Sequence, residues 1–311
     1  MNQLTTIARP EAGGKNPPFR GRKLHSEGIN LLGTSIRCQS EDGELKKVLV
    51  QPPDFLSWTS KTAINQLQRT HDPPSVSQVK EEHDMLVDAL TSEGAEVISV
   101  KPKPRLSEGV YQRDSVFVIG QTAFSARFKH RKRWPETTDV SGTVNPWRNG
   151  DIIEGGDILV FPEAVLVGLG DRTNMMAVQT LRKIISDKEI IPVPLVKGTL
   201  HLDYATTIGG RGKMRTMTVC PDLYKDKEMI RAIADRFSVG HMIPVPHDQH
   251  YLGWANLVYV NPETVISTTA AREVNVALRK IGFKVIEIPF DGILSGEGAP
   301  RCCTAPLERE H

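Results

Sequence analysis

Cysteine is scarce in this chain: four among 311 residues, none of them in a CxxC pair. That argues against a zinc site or a thioredoxin-like motif. Cys302 and Cys303 are neighbours, and the peptide between adjacent cysteines strains a bridge, so free thiols in a reducing compartment fit best. An excess of charge of one sign is also missing. Lys and Arg number 39 against 37 Asp and Glu, a formal +2, and nothing in that balance calls for nucleic acid or an acidic membrane surface as partner. No apolar run is long enough to span a bilayer. The opening MNQLTTIARPEAGGKNPPFRGRK has no apolar signal-peptide core, so a cytoplasmic protein is expected. What is present, 39% hydrophobic residues, suffices for a packed core in one large domain or two ordinary ones.

Residues 1–43 are rich in Gly, Pro and basic side chains without clear periodicity, and are expected to be a tail or covering loop. A single domain over 44–311 is expected to follow. KKVLVQ (Lys46 to Gln51) reads as a strand. VSQVKEEHDMLVDALTSEG has helical spacing through Val79, Met85, Leu86 and Leu90, with Gly94 as its stop, and AEVISVK reads as a strand. From Asp151 a pattern of strand, strand, helix, strand recurs. Its first copy is GGDILVFPEAVLVGLG, NMMAVQTLRKIISD and EIIPVPL. HLDYATTIGG starts a second copy and NLVYVNPETVIST a third. DSVFVIGQTAFSARF resembles the hairpin of another. A last copy is split between the chain ends, the segment after Cys302 pairing with KKVLVQ. Five copies at about 45–50 residues predict an α/β ring of ββαβ units with pseudo-fivefold symmetry, closed by both ends so that no sheet edge stays open.

Unusual polar residues fall at one point of each copy, the entrance to its first strand. Asp114 precedes SVFVIG, Glu154 precedes GGDILVF, His201 begins HLDYATTI, Asn256 begins NLVYV, and Cys302 begins the C-terminal segment. In a closed ring such positions converge, bringing together two carboxylates, an imidazole and a thiol, with a further carboxylate at Asp203. A thiol beside an imidazole can ionise near neutral pH, and thiolate is the nucleophilic form. Converging carboxylates suit a cation, and a planar guanidinium with five N–H donors in a fixed fork suits them well. Each residue also has a plainer use: Asp and Glu as turn formers, His201 as a structural histidine, Arg172 as a helix cap or solvent-exposed charge, Cys303 as a small buried thiol.

The stretches YQRD, IEGGDILVF, GDRTN, LHLDYATT and GAPRCCTAPL, in this order, resemble the guanidine-modifying enzymes of the pentein superfamily, which include arginine deiminases, dimethylarginine dimethylaminohydrolases and amidinotransferases. The resemblance covers roughly Lys46 to the C-terminus. It implies a five-bladed α/β propeller and chemistry without metal or organic cofactor. Carried over by position, it makes Cys302 the nucleophile, since only Cys302 has the family's spacing in CCTAP. His201 becomes the general acid/base, and Glu154 and Asp114 hold the guanidinium. Asp203 matches the deiminase and amidinotransferase form. Arg172 resembles a grip on the substrate carboxylate, with Arg127 or Arg131 as a further candidate. Two positions depart from deiminases: Glu297, where a basic residue is often presented, and Glu108, where Asn is missing ahead of QRD.

The resemblance thus implies a hydrolase of an arginine-like guanidine, giving citrulline or a related ureido product through a covalent thiouronium. The alternatives are an amidinotransferase, an arginine dihydrolase giving ornithine, and a non-enzymatic binding pentein. The partner expected is a small guanidino molecule, with no nucleic acid and no membrane; the sequence leaves the oligomeric state open, a homodimer included.

Overall fold

In the computed structural model of the protein, residues 23–24, 29–31, 33–104 and 106–310 are described. Most of the expected N-terminal tail, residues 1–22, lies outside them. The chain runs through strands β1 (Lys23–Leu24), β2 (Ile29–Asn30) and β3 (Glu44–Val50), helix α1 (Val76–Ser92) and strand β4 (Glu96–Ser99). A helical turn α2 (Gln112–Ser115) leads into the hairpin β5 (Val116–Ile119) and β6 (Thr122–Ser125), followed by β7 (Val140–Ser141). Next come β8 (Ile158–Val160), β9 (Ala164–Leu169), α3 (Met175–Ile184) and β10 (Glu189–Pro194). The turn α4 (Leu202–Ala205) precedes β11 (Thr206–Gly209), β12 (Thr216–Val219), α5 (Glu228–Arg236) and β13 (His241–Pro244). Last are β14 (Val258–Asn261), β15 (Thr264–Thr268), α6 (Arg272–Ile281), β16 (Lys284–Ile288), the turn α7 (Asp291–Leu294) and β17 (Ala305–Glu310).

This is a mixed α/β fold whose sheets repeat one pairing rule. Within β8–β9–β10, β11–β12–β13 and β14–β15–β16, the first two strands are antiparallel and the third lies parallel to the second. The helix before each third strand supplies the crossover that a parallel pair requires. The same rule holds across the chain ends, where β17 runs antiparallel to β3 and β4 runs parallel to β3. The β5–β6 hairpin has no full third strand; a single parallel bridge from Phe124 to Val144 stands at that edge. Among the described residues no sheet closes on itself, and the units meet through side chains and a few isolated main-chain bonds, such as the bridge between Leu195 and Tyr224. Leu159 and Leu166, Ile208 and Met217, and Tyr259 and Val265 are all buried in one cluster that joins three successive units.

Local signals set the element boundaries. Ser75 caps α1 by accepting from Gln78 N at 3.3 Å, and Gly94, at φ +92°, takes the left-handed conformation that ends it. Val79, Leu86 and Leu90 face the core as their spacing predicts, whereas Met85 is 37% exposed. The later part of the expected tail joins the fold. Strand β1 extends the sheet beside β4, Cys38 bridges to Gly120, and Glu41 is buried in an ion pair with Arg301.

Candidate active site

The turn before each first strand places its polar residue inward. Asp114 lies in α2, Glu154 immediately precedes a short helical turn (Gly155–Asp157) before β8, and His201 immediately precedes α4. All three are buried. Close approach here depends on Gly156: a β-carbon at that position would stand 2.7 Å from His201 Cγ and 3.0 Å from Asp114 Oδ1. Two residues on from its turn's start, Asp157 accepts from Leu202 N at 2.9 Å and so ties the Glu154 turn to the His201 turn.

The imidazole sits between two carboxylates. His201 Nε2 lies 2.9 Å from Glu154 Oε2, and Nδ1 lies 3.6 Å from Asp114 Oδ1. Glu154 also accepts from Arg172 Nη1 at 3.0 Å and from Lys129 N at 3.2 Å. Cys302 enters from the C-terminal segment: its N donates to Asn256 Oδ1 at 3.2 Å, and its carbonyl accepts from Arg113 N at 3.0 Å. Asn256 Nδ2 in turn donates to the Asp203 carbonyl at 3.3 Å. The strand entrances chosen from sequence are therefore linked to one another across the fold.

Arg133 completes the cluster and was not among the arginines expected there. It is 1% exposed, stacks 4.4 Å over the Phe128 ring, and donates from Nη1 to Asp114 Oδ2 at 2.8 Å. The same nitrogen lies 3.9 Å from Glu154 Oε2, and Nε and Nη2 hold Glu136. Arg131 instead points outward over Trp134 at 5.4 Å, and Arg127 pairs through its main chain with Ile153. Neither side chain joins the cluster. Within KHRKR the sequence offers no periodicity that singles out Arg133; its one signal is Glu136 three residues later.

Protonation follows from burial and these charges. Burial alone would raise the Glu154 carboxyl, but Arg172, His201 and Arg133 outweigh it and hold the group well below the usual carboxylate range. Burial would lower His201, but Asp114, the hydrogen bond to Glu154 and the charge of Asp157 push the imidazole up to about 9. Burial lifts Asp203 to about 6 against the pull of Arg301 and His201. Burial, then the facing charges of Asp203 and Asp114, push the Cys302 thiol well above its ordinary value. Burial and these charges therefore favour a neutral Cys302 thiol and a His201 imidazolium in the resting site, not the thiolate that a Cys–His pair alone suggests.

Three buried carboxylate oxygens, both of Asp203 and Oδ1 of Asp114, have no hydrogen-bond partner among the described residues. The ligand atoms of Asp114, Glu154 and His201 also lie within 4.8 Å of one another, close enough to share a metal ion. In the structure Asp114 and Glu154 instead accept from the guanidinium groups of Arg133 and Arg172, the planar N–H donors that suit carboxylate pairing.

A cavity of about 300 Å³ adjoins the cluster, lined by Asn65, Arg69, Lys129, His130, Arg172 and Glu297 among others. The segment before α1 covers it. Asn65 accepts from Arg172 Nη2 at 2.6 Å and donates to the Gly296 carbonyl at 3.1 Å. Glu297, at φ +66°, accepts from Leu67 N at 2.9 Å, so the acid that stands where deiminases often have a base fastens the cover. Glu108 is buried and paired with Lys132 at 2.8 Å.

Known proteins resemble this chain over most of its length. A family model described as N,N dimethylarginine dimethylhydrolase, eukaryotic, matches residues 51–309. The uncharacterized protein YkgA of Bacillus subtilis (strain 168) is 31% identical over 282 residues, 88% of this chain and 95% of that protein. An arginine deiminase of Staphylococcus epidermidis is 26% identical over 240 residues, 64% of this chain but 56% of the deiminase, so this chain spans about half of that enzyme's length. Among solved structures, the product-bound N-terminal domain of ArgZ, described as an arginine dihydrolase from Cyanobacteria, superposes with a TM-score of 0.76 at 23% identity, covering 86% of this chain and 98% of that one.

Proposed function

The chain belongs to the N,N dimethylarginine dimethylhydrolase family, a guanidine-modifying branch of the pentein superfamily that acts on guanidino C–N bonds, and on that premise we propose that it is a cysteine-dependent hydrolase of an arginine-like guanidine. The five sheet units are read as the blades of a propeller, with the strand entrances facing its axis. The observation that carries the reading is the buried carboxylate set: Asp114 and Glu154 already hold guanidinium groups of Arg133 and Arg172, while both oxygens of Asp203 and one of Asp114 lack donors.

Substrate entry supplies what the resting site lacks. A guanidinium against Asp203 and Asp114 offsets the negative charge that opposes ionisation of Cys302. A cation enters and the thiol proton leaves to solvent, charge for charge. Cys302 Sγ then attacks the guanidinium carbon, forming the S–C bond. The His201 imidazolium donates a proton to the departing nitrogen, and the C–N bond breaks to release ammonia or an alkylamine. The thiouronium left on sulfur is attacked by water, whose proton passes to His201. The remaining hydroxyl proton passes to sulfur as the C–S bond breaks and the carbonyl forms, giving a ureido product and restoring the Cys302 thiol. Arg133 must yield Asp114 Oδ2 for two-point binding there, and Arg172 with the cavity beside it receives the remainder of the substrate.

The test is incubation with arginine and with mono- and dimethylarginines, scored separately for citrulline, ornithine, ammonia and methylamines, with and without added glycine or ornithine. Citrulline with ammonia or an alkylamine, at a rate indifferent to the added amine, supports the hydrolase. Ornithine with two ammonia molecules indicates the dihydrolase reaction instead. Turnover only with the amine, forming a new guanidino compound, indicates an amidinotransferase.

A further inference from the structure

Arg113 neighbours Asp114 in sequence but takes no part in the guanidinium cluster. Its side chain is 5% exposed and makes no hydrogen bond or ion pair among the described residues; its buried Nε and Nη2 are without partners. Three buried N–H donors of a guanidinium left without an acceptor are among the costlier arrangements a fold can hold. The group lines a small cavity of about 10 Å³, together with Cys38, Glu41, Arg309, Phe117 and Val160 among others. Arg309, 3% exposed, also has an unpartnered Nη2, its Nη1 being spent on the carbonyls of Gly43 and Tyr259 at 2.7 and 2.8 Å.

The charges around this cavity do not balance locally. The carboxylate that lines it, Glu41, is already committed: Oε2 accepts from Arg301 Nη1 at 2.6 Å and Oε1 from Val160 N at 2.8 Å. Asp203, the other carboxylate whose charge reaches Arg113, lies 3.5 Å from Arg301 Nε. Three guanidinium groups, Arg113, Arg301 and Arg309, thus share one fully engaged glutamate, with Asp203 beside Arg301 and Asp42, whose charge reaches Arg309, itself paired with Arg215. Burial and the neighbouring Arg301 lower Arg113 to about 9, the direction expected of a cation lacking a counter-charge.

We propose that this cavity is a binding site for a single monovalent anion of halide size, chloride under ordinary conditions. The volume is close to that of one water-sized guest, which excludes sulfate, phosphate and organic carboxylates. A water would satisfy two of the free N–H groups at most and bring no charge; a halide accepts from several and neutralises one guanidinium. The site is separate from the carboxylate cluster and stands whether or not the guanidine-hydrolase reading holds. It has a structural consequence, because the anion would fasten the turn whose next residue is Asp114 and whose Arg113 N holds the Cys302 carbonyl.

Crystals of the full chain soaked in sodium bromide test this directly. An anomalous bromine peak is expected at hydrogen-bonding distance from Arg113 and Arg309, whereas a water without anomalous signal at saturating bromide overturns the proposal. In solution, the melting temperature should rise with chloride above its value in gluconate at equal ionic strength. R113Q should lose that halide-specific increment. Equal melting in the two salts, or an undiminished increment in R113Q, overturns it. If R113Q does not fold, the bromide experiment on the unmodified chain still decides.

Discussion

Replacing Glu154 by Gln keeps the size of a wholly buried side chain and removes its charge. Lys129 N donates to one carboxylate oxygen, while Arg172 Nη1 and His201 Nε2 both meet the other. With the amide oxygen facing Lys129 N, the amide N–H₂ opposes the donors of Arg172 and His201; turned over, it opposes Lys129 N. In either orientation the imidazolium loses its facing negative charge. Raising the imidazole from 6.5 to about 9 corresponds to about 3 kcal/mol of stabilisation of the imidazolium, at about 1.4 kcal/mol per pKa unit. Asp114, Asp157 and Glu154 share it, so losing Glu154 should remove on the order of 1–2 kcal/mol and bring the His201 midpoint to about 8 or below. The imidazole ring resonances, followed by NMR against pH, read this without knowledge of the substrate. With a turned-over guanidine in hand, loss of one partner of a desolvated charge pair, about 2–5 kcal/mol, predicts a fall in kcat/KM of roughly 30- to 4,000-fold. The alkaline limb, where the general acid loses its proton, should move to lower pH. A His201 midpoint that stays near 9 in E154Q, or near-normal kinetics with lost thermal stability, refutes the reasoning.

Cys302→Ser should abolish turnover while Cys303→Ser retains most of it, and a chloroacetamidine-type electrophile should label Cys302 first; peptide mapping that finds Cys303 modified reverses the assignment. Arg133→Gln leaves buried Asp114 and Glu136 without their partner, so equilibrium unfolding in urea should show a loss of about 3–5 kcal/mol, whereas Arg131→Gln should change stability by less than about 0.5 kcal/mol. For His201 the folded value lies above the unfolded one, so its contribution is fully present below about pH 6.5 and is lost as pH rises toward 9. Unfolding free energies across that window should fall in the unmodified chain and fall less in His201→Gln.

The order of elements was legible because its signals are local. Spacing within α1, the stop at Gly94 and the recurrence after Asp151 each need only a short window of sequence. Recurrence also marked the residues at strand entrances, and it required the C-terminal segment to pair with the first long strand, as β17 and β3 do. What escaped was whatever depends on distances between remote residues. KHRKR offers four cations to the site, and only packing on Phe128 and the reach to Asp114 decide that Arg133 enters while Arg131 faces out. The positive φ and the bond to Leu67 N that make Glu297 a fastening for the cover are set by chain segments 230 residues apart. The same holds for protonation. Composition and order identified a thiol, an imidazole and carboxylates, but whether the thiol ionises depends on which charges face it after burial, and Asp203 and Asp114 face Cys302 only because the fold brings their turns together. Sequence by itself determined which groups are present and at which repeat positions; tertiary structure decided their charge states and partners, because electrostatic coupling falls off with distance in space and takes no account of separation along the chain.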